Sequence, residues 1–170
     1  MKHIALLLVA IAFALPSFAQ ETTVFTEANL AYKRGLSFYE QGLFAKAQAE
    51  FEDAIHLLLP VNEEASELLR TKAELYYAKT AVQLDQPDGE KLILDFIRSN
   101  SPDPIANQAI IDLANYYYEA KDYDKAIEYF SKVPINAMSR EQRAEAKFKL
   151  VYEFNKKKQF ANAKNNFRDI

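Results

Sequence analysis

One short pattern recurs along the chain at wide, regular spacing, and it limits the fold more than any other feature. Gly42-Leu43-Phe44-Ala45-Lys46-Ala47 leads to Phe51 and Ala54, and Lys121-Asp122-Tyr123-Asp124-Lys125-Ala126 leads to Phe130 and Val133. A third copy, Lys158-Gln159-Phe160-Ala161-Asn162-Ala163, leads to Phe167 and Ile170. Each copy has an aromatic residue, an alanine three places on, and a phenylalanine four places after that. Ala47 and Ala126 are 79 residues apart and Ala126 and Ala163 are 37 apart, so an eroded copy belongs in the first interval. Self-similarity at such a period is the mark of stacked units, each burying its apolar face against the next.

The units are expected to be helix pairs. Spacings of three and four put the small and aromatic residues on one stripe of a helix. Upstream of each copy runs a second segment marked by a small residue with an aromatic three places later: Gly35 with Phe38, Ala114 with Tyr117, and Val151 with Phe154. The eroded unit supplies Ala78, with Ala81 in the aromatic place. Its second helix, 90–97, is expected to carry Leu92 and Phe96 at the matching positions. Asp88 suits an N-cap, and Ser139 followed by Gln142 has capping-box form. Pro60, Pro102, Pro104 and Pro134 fall between units, where proline stops helices. Only 3 glycines and 6 prolines occur among 170 residues, which favours long helices over a turn-rich sheet.

The first residues read as a separate element. Lys2 precedes an apolar run from Ile4 to Leu15, then Pro16 and Ser17-Phe18-Ala19, the layout of a secretory signal peptide over 1–19. Twelve apolar residues are too few for a membrane-spanning helix, which needs about 20. Cleavage would leave Gln20 first and remove Lys2, giving 20 bases against 24 acids. That balance argues against nucleic acid or an anionic membrane as partner. There is no cysteine, so the core must hold without disulfides and nothing behind the leader can carry a thioether lipid.

A small residue with an aromatic three later, then alanine, then an aromatic four later, with proline at the end of the unit, resembles the tetratricopeptide repeat. The resemblance runs from Ala28 to Ile170 in four units: 28–61, 64–100, 104–137 and 141–170, the last incomplete or uncapped. Residues 88–134 also resemble the repeats of exported scaffolding proteins of Bacteroidetes bacteria, whose signal peptides often end in Ala-Gln as here. The resemblance implies an all-α solenoid, a right-handed superhelix of about four helix hairpins, with the first helix of each pair lining a concave groove. The groove residues it implies are Tyr32, Leu36 and Tyr39; Lys72, Leu75 and Lys79; Asn115 and Tyr118; and Phe148, Tyr152, Asn155 and Lys156. Members that bind a terminal carboxylate begin their clamp with Lys and Asn in the first repeat. Tyr32 and Leu36 stand there in this chain, so that clamp is absent.

Nothing in the sequence points to catalysis or to a cofactor. His56 is the one histidine left after the leader and is expected on an ordinary helix face. No phosphate loop, zinc motif or nucleophile elbow occurs. Tyr116-Tyr117-Tyr118 cannot form one stacking platform, because successive helix residues point about 100° apart; Tyr117 is expected in the core and Tyr118 in the groove. Lys156-Lys157-Lys158 reads as a solvated helix end. The expected function is an exported scaffold that holds a protein or peptide, in the periplasm or at the outer membrane through a partner, with no metal and no enzymatic activity. The alternatives from other classes are a glycan-binding accessory module of carbohydrate uptake, or the N-terminal part of a longer protein.

Overall fold

A computed structural model describes residues 23–156, with the side chains of Leu150 and of residues 152–156 outside that description. The leader expected over 1–19 and the part of the expected fourth unit at 157–170 therefore lie outside the described residues. Among the described residues all regular structure is helical: α1 (23–40), α2 (Phe44–Leu58), α3 (Glu64–Gln83), α4 (Gly89–Asn100), α5 (Pro104–Glu119), α6 (Tyr123–Lys132), a 3₁₀ turn (Ile135–Ala137) and α7 (Arg140–Lys156). The chain divides between Leu84 and Asp85 into two compact units.

In the first unit, α1 and α2 form a hairpin against which α3 packs. α1 already runs at residue 23, upstream of the start at 28 that the repeat implied, and Phe25 packs there on Ala28, Leu58 and Leu69. The turn out of α1 is set by Gly42, at φ 72°. Its N–H donates to Tyr39 O at 3.0 Å, and the N–H of Leu43 donates to Phe38 O at 2.9 Å. These two bonds satisfy carbonyls that the helix end leaves open. Ala47, Phe51 and Ala54 are fully buried along α2. The smallness of Gly35 has a direct cause: a Cβ there would meet ring carbons of Phe51 at 2.6–3.0 Å.

The second unit repeats these devices. α5 packs against both α4 and α6, and α6 touches α7. Lys121 stands where Gly42 stands in the first hairpin and takes the same left-handed conformation, at φ 64°. Its N–H bonds Tyr118 O at 3.0 Å, and that of Asp122 bonds Tyr117 O at 2.9 Å. Ala126, Phe130 and Val133 are buried in the register of Ala47, Phe51 and Ala54. α5 begins with Asp103 accepting from Ile105 N at 2.9 Å and Pro104 in the first turn. α6 begins with Asp122 accepting from Lys125 N. α7 has the expected capping box, with Gln142 N donating to Ser139 Oγ at 3.1 Å and Ser139 N donating to Gln142 Oε1 at 2.8 Å.

α4 differs from the sequence reading in two respects. Asp88 occupies the N-cap, but its side chain makes no cap hydrogen bond. The buried stripe is Gly89, Ile93 and Phe96, with Leu92 only half-buried. Gly89 therefore matches Ala47 and Ala126, and the connection before it is one residue shorter than in the other hairpins. Phe96 stands where Ala54 and Val133 stand, and the phenylalanine position is filled by Ile93.

Candidate partner-binding surface

In the first unit the sequence-predicted residues gather around one they did not include. Tyr76, on α3, lies 6.0 Å from Tyr32 and 5.4 Å from Tyr39 between ring centroids, both edge to face, and 5.3 Å from Phe51. Tyr39 in turn meets Phe44 at 5.3 Å. The Lys79 ammonium lies over the Tyr76 ring at 4.5 Å and the Tyr39 ring at 5.3 Å, where the negative ring faces attract it. α1 thus contributes Tyr32 and Tyr39, one helical repeat of seven apart, and α3 contributes Tyr76 and Lys79, three apart. The signal for Tyr76 was present in the sequence, since it falls on the stripe that carries Lys72 and Lys79.

The rings are half-buried, so each is held by packing and still reaches solvent. Burial, with the neighbouring Tyr76 adding to it, pushes the Tyr32 phenol up to about 12. That hydroxyl remains a neutral donor at any physiological pH. Leu36 is half-buried and Lys72 exposed. Leu75 is a correction: it is only 5% exposed and has no surface to offer a partner. Its position, three residues from both Lys72 and Ala78, sits where the polar stripe turns into the packed one.

In the second unit the predicted residues meet on α5 and α7. Tyr118 lies 5.6 Å from Tyr123, with the Lys149 ammonium 4.9 Å above its ring. Lys149 donates to Asn115 Oδ1 at 2.7 Å and pairs with Glu145 at 2.7 Å. Asn115 is thereby engaged inside the fold. Gln142 donates to Gln108 at 2.9 Å, and Gln108 to Asp112 at 2.8 Å, extending this polar seam between the two helices. Phe148 is 69% exposed. The side chains of Tyr152, Asn155 and Lys156 lie outside the described residues.

Tyr117, expected in the core, belongs to a polar cluster instead. Its ring stacks on Tyr129 at 5.7 Å, and Lys125 bridges Glu90 at 2.7 Å and the Tyr117 hydroxyl at 3.1 Å. Tyr129 donates to the other oxygen of Glu90. Burial alone would raise the Glu90 carboxyl, but hydrogen bonds from Lys125 and the tyrosines outweigh it and hold the group down at about 2. The cluster ties the start of α4 to α5 and α6 and is structural in its geometry.

His56 is exposed on α2, 3.9 Å from Glu52, as an ordinary helix-face residue. It borders a cleft of about 520 Å³ between α1 and α2, lined also by Glu27, Leu30, Arg34, Asp53 and Leu57. Among the described residues no group of three His, Cys, Asp or Glu side chains is placed to hold a metal ion. No described helix is long and apolar enough to cross a membrane.

The tetratricopeptide repeat family matches residues 78–141, a segment from the end of α3 to the start of α7. Neither the curated proteins nor the solved structures offer a match to the chain. The same buried small–aromatic register appears in α2, outside the matched segment. Among the described residues the chain is all-α and built of helix hairpins like those of the tetratricopeptide repeat, a repeat that generally mediates protein–protein interaction.

Proposed function

We propose that the chain is an exported, non-enzymatic scaffold that holds a peptide or protein segment against the first-helix faces of its hairpins. The observation that carries this reading is the tyrosine face of the first unit. Three half-exposed tyrosines are fixed edge to face on two helices, with a lysine ammonium over two of the rings. Aromatic side chains locked by packing bury large contact area at little entropic cost on binding, the property that makes them binding anchors. Tyr118, Tyr123 and Phe148 supply the same type of surface in the second unit. Export rests on the leader pattern at 1–19 and places the protein in the periplasm or, through a partner, at the outer membrane.

The test is affinity capture from an extract of the source organism, comparing the chain from Gln20 onward with a Tyr32→Ala/Tyr39→Ala/Tyr118→Ala variant of unchanged helical content. A protein retained by the first and lost by the second supports the reading. A partner retained equally by both would sink it.

A further inference from the structure

One flank of the first hairpin is open, and its counterpart in every later hairpin is covered. α3, α5 and α7 each pack on the second helix that precedes them: α2, α4 and α6. Five places before Ala78, Ala114 and Val151 stand Ala73, Ala109 and Ala146, all of them buried. Ala73 shares a buried cluster with Ala54 of α2. Five places before Gly35 stands Leu30, which is 51% exposed. Leu30 lines the cleft between α1 and α2. The register of the repeat therefore puts this cleft where a preceding second helix lies in each later unit, and stacked units bury such flanks only against a neighbour.

The rim of the cleft adds charge to that shape. Glu27 and Asp53 are exposed acids on it, and Glu52 flanks His56 at 3.9 Å. Arg34, the base on the rim, is held by Glu50 at 2.6 Å. Lys33 stands on the next row of α1, and Lys46, farther along α2, lies over the Phe38 ring at 5.6 Å. One stretch of the chain combines the second-helix pattern with the opposite charge. Residues 157–170 carry Phe160, Ala163, Phe167 and Ile170, with Lys157, Lys158, Lys164 and Arg168 against the single acid Asp169.

We propose that residues 157–170 of a second copy seat on the cleft between α1 and α2, carrying the packing of second helix on first helix from one chain into the next. Ile170 holds the place of Ala54, and Leu30 that of Ala73, so these two side chains meet. The seam takes large side chains, because Phe96 and Val133 hold Ala54's place in α4 and α6 and are buried there. The bases of the segment pair with Glu27 and Asp53, which favours this end-to-end register over other contacts. A contact between different patches of two copies is open-ended, so assembly grows with concentration. Tyr39 and Tyr76 take no part, and the inference stands independently of the proposed function.

The absence of cysteine allows a direct test. Chains from Gln20 onward carrying Leu30→Cys are mixed with chains carrying Ile170→Cys and oxidised, with Lys33→Cys as the control for Leu30→Cys. Cross-linked pairs joining positions 30 and 170 are expected to form about tenfold faster than pairs joining 33 and 170. In sedimentation velocity the unsubstituted chain should associate as concentration rises. Leu30→Lys should weaken that association about tenfold at unchanged helical content, since the side chain is exposed, and Leu30→Met should preserve it. A chain that stays monomeric, or association indifferent to Leu30→Lys, would overturn the proposal. So would cross-links only between two Leu30→Cys chains, which mean a symmetric contact. A Leu30→Cys/Ile170→Cys chain that closes on itself at high dilution would assign the cleft to the chain's own segment, and association that requires residues 1–19 would assign it to the leader; either result overturns the second copy.

Discussion

Ser66 is fully buried in the first turn of α3, and its hydroxyl has no hydrogen-bond partner. A buried unpaired polar group costs about 1–3 kcal/mol. Ser66→Ala is expected to raise stability by about 1 kcal/mol in urea unfolding, and a destabilised variant would show that the hydroxyl is satisfied. Lys121 holds the left-handed conformation that Gly42 holds in the first hairpin. A side chain there costs about 1–2 kcal/mol, offset in part because glycine loosens the unfolded chain. Lys121→Gly should therefore stabilise by up to about 1 kcal/mol and Gly42→Lys should destabilise, both read from the urea midpoint. Glu90 gives a pH signature. Its carboxyl is held at about 2 against an ordinary 4.5, so the folded state favours the ionised form. The stabilisation is complete above pH 4.5 and is lost as pH falls from there toward 2. In Glu90→Gln the acid limb of the stability profile should flatten over that window, and an unchanged limb would show that Lys125 and Tyr129 do not hold the charge.

At the scale of the element, close approach of α1 and α2 depends on one pair. Gly35→Ala pushes a methyl into the Phe51 ring and should cost about 1–3 kcal/mol, as overpacked cores do. Phe51→Ala should cost about 3–5 kcal/mol, since the ring is fully buried. Because the two groups touch, combining Gly35→Ala with Phe51→Leu should cost less than the sum of the separate changes. Additive losses in thermal melts would contradict the contact. The helices themselves were legible because their signals are local. Prolines fall between them, Ser139 with Gln142 caps one, and small–aromatic spacings of three and four mark the buried stripe, whereas Asp88, expected as a cap, makes no cap bond. The register of α4 was not legible. Phe96 there fills a place that Ala54 and Val133 fill elsewhere, and only packing shows that Ile93 and Gly89 complete the stripe.

For the whole molecule, the leader makes the prediction nearest to the sequence. Chain recovered from the periplasm of a secreting cell is expected to begin at Gln20, and mass spectrometry showing Lys2 retained would contradict the export reading. By itself the sequence determined that the chain folds as helix hairpins, because a repeat's buried stripe is written into residues a few places apart. The groove residues came from the resemblance to the tetratricopeptide repeat, and among them Tyr32, Tyr39 and Lys79 meet in the first unit. The tertiary structure alone decided how those residues are used. It made Tyr76 the centre of the tyrosine face, buried Leu75, engaged Asn115 with Lys149, and drew Tyr117 into the Glu90 cluster. Each of these depends on which helix lies opposite and at what distance, and residues far apart in sequence become neighbours only when the hairpins pack.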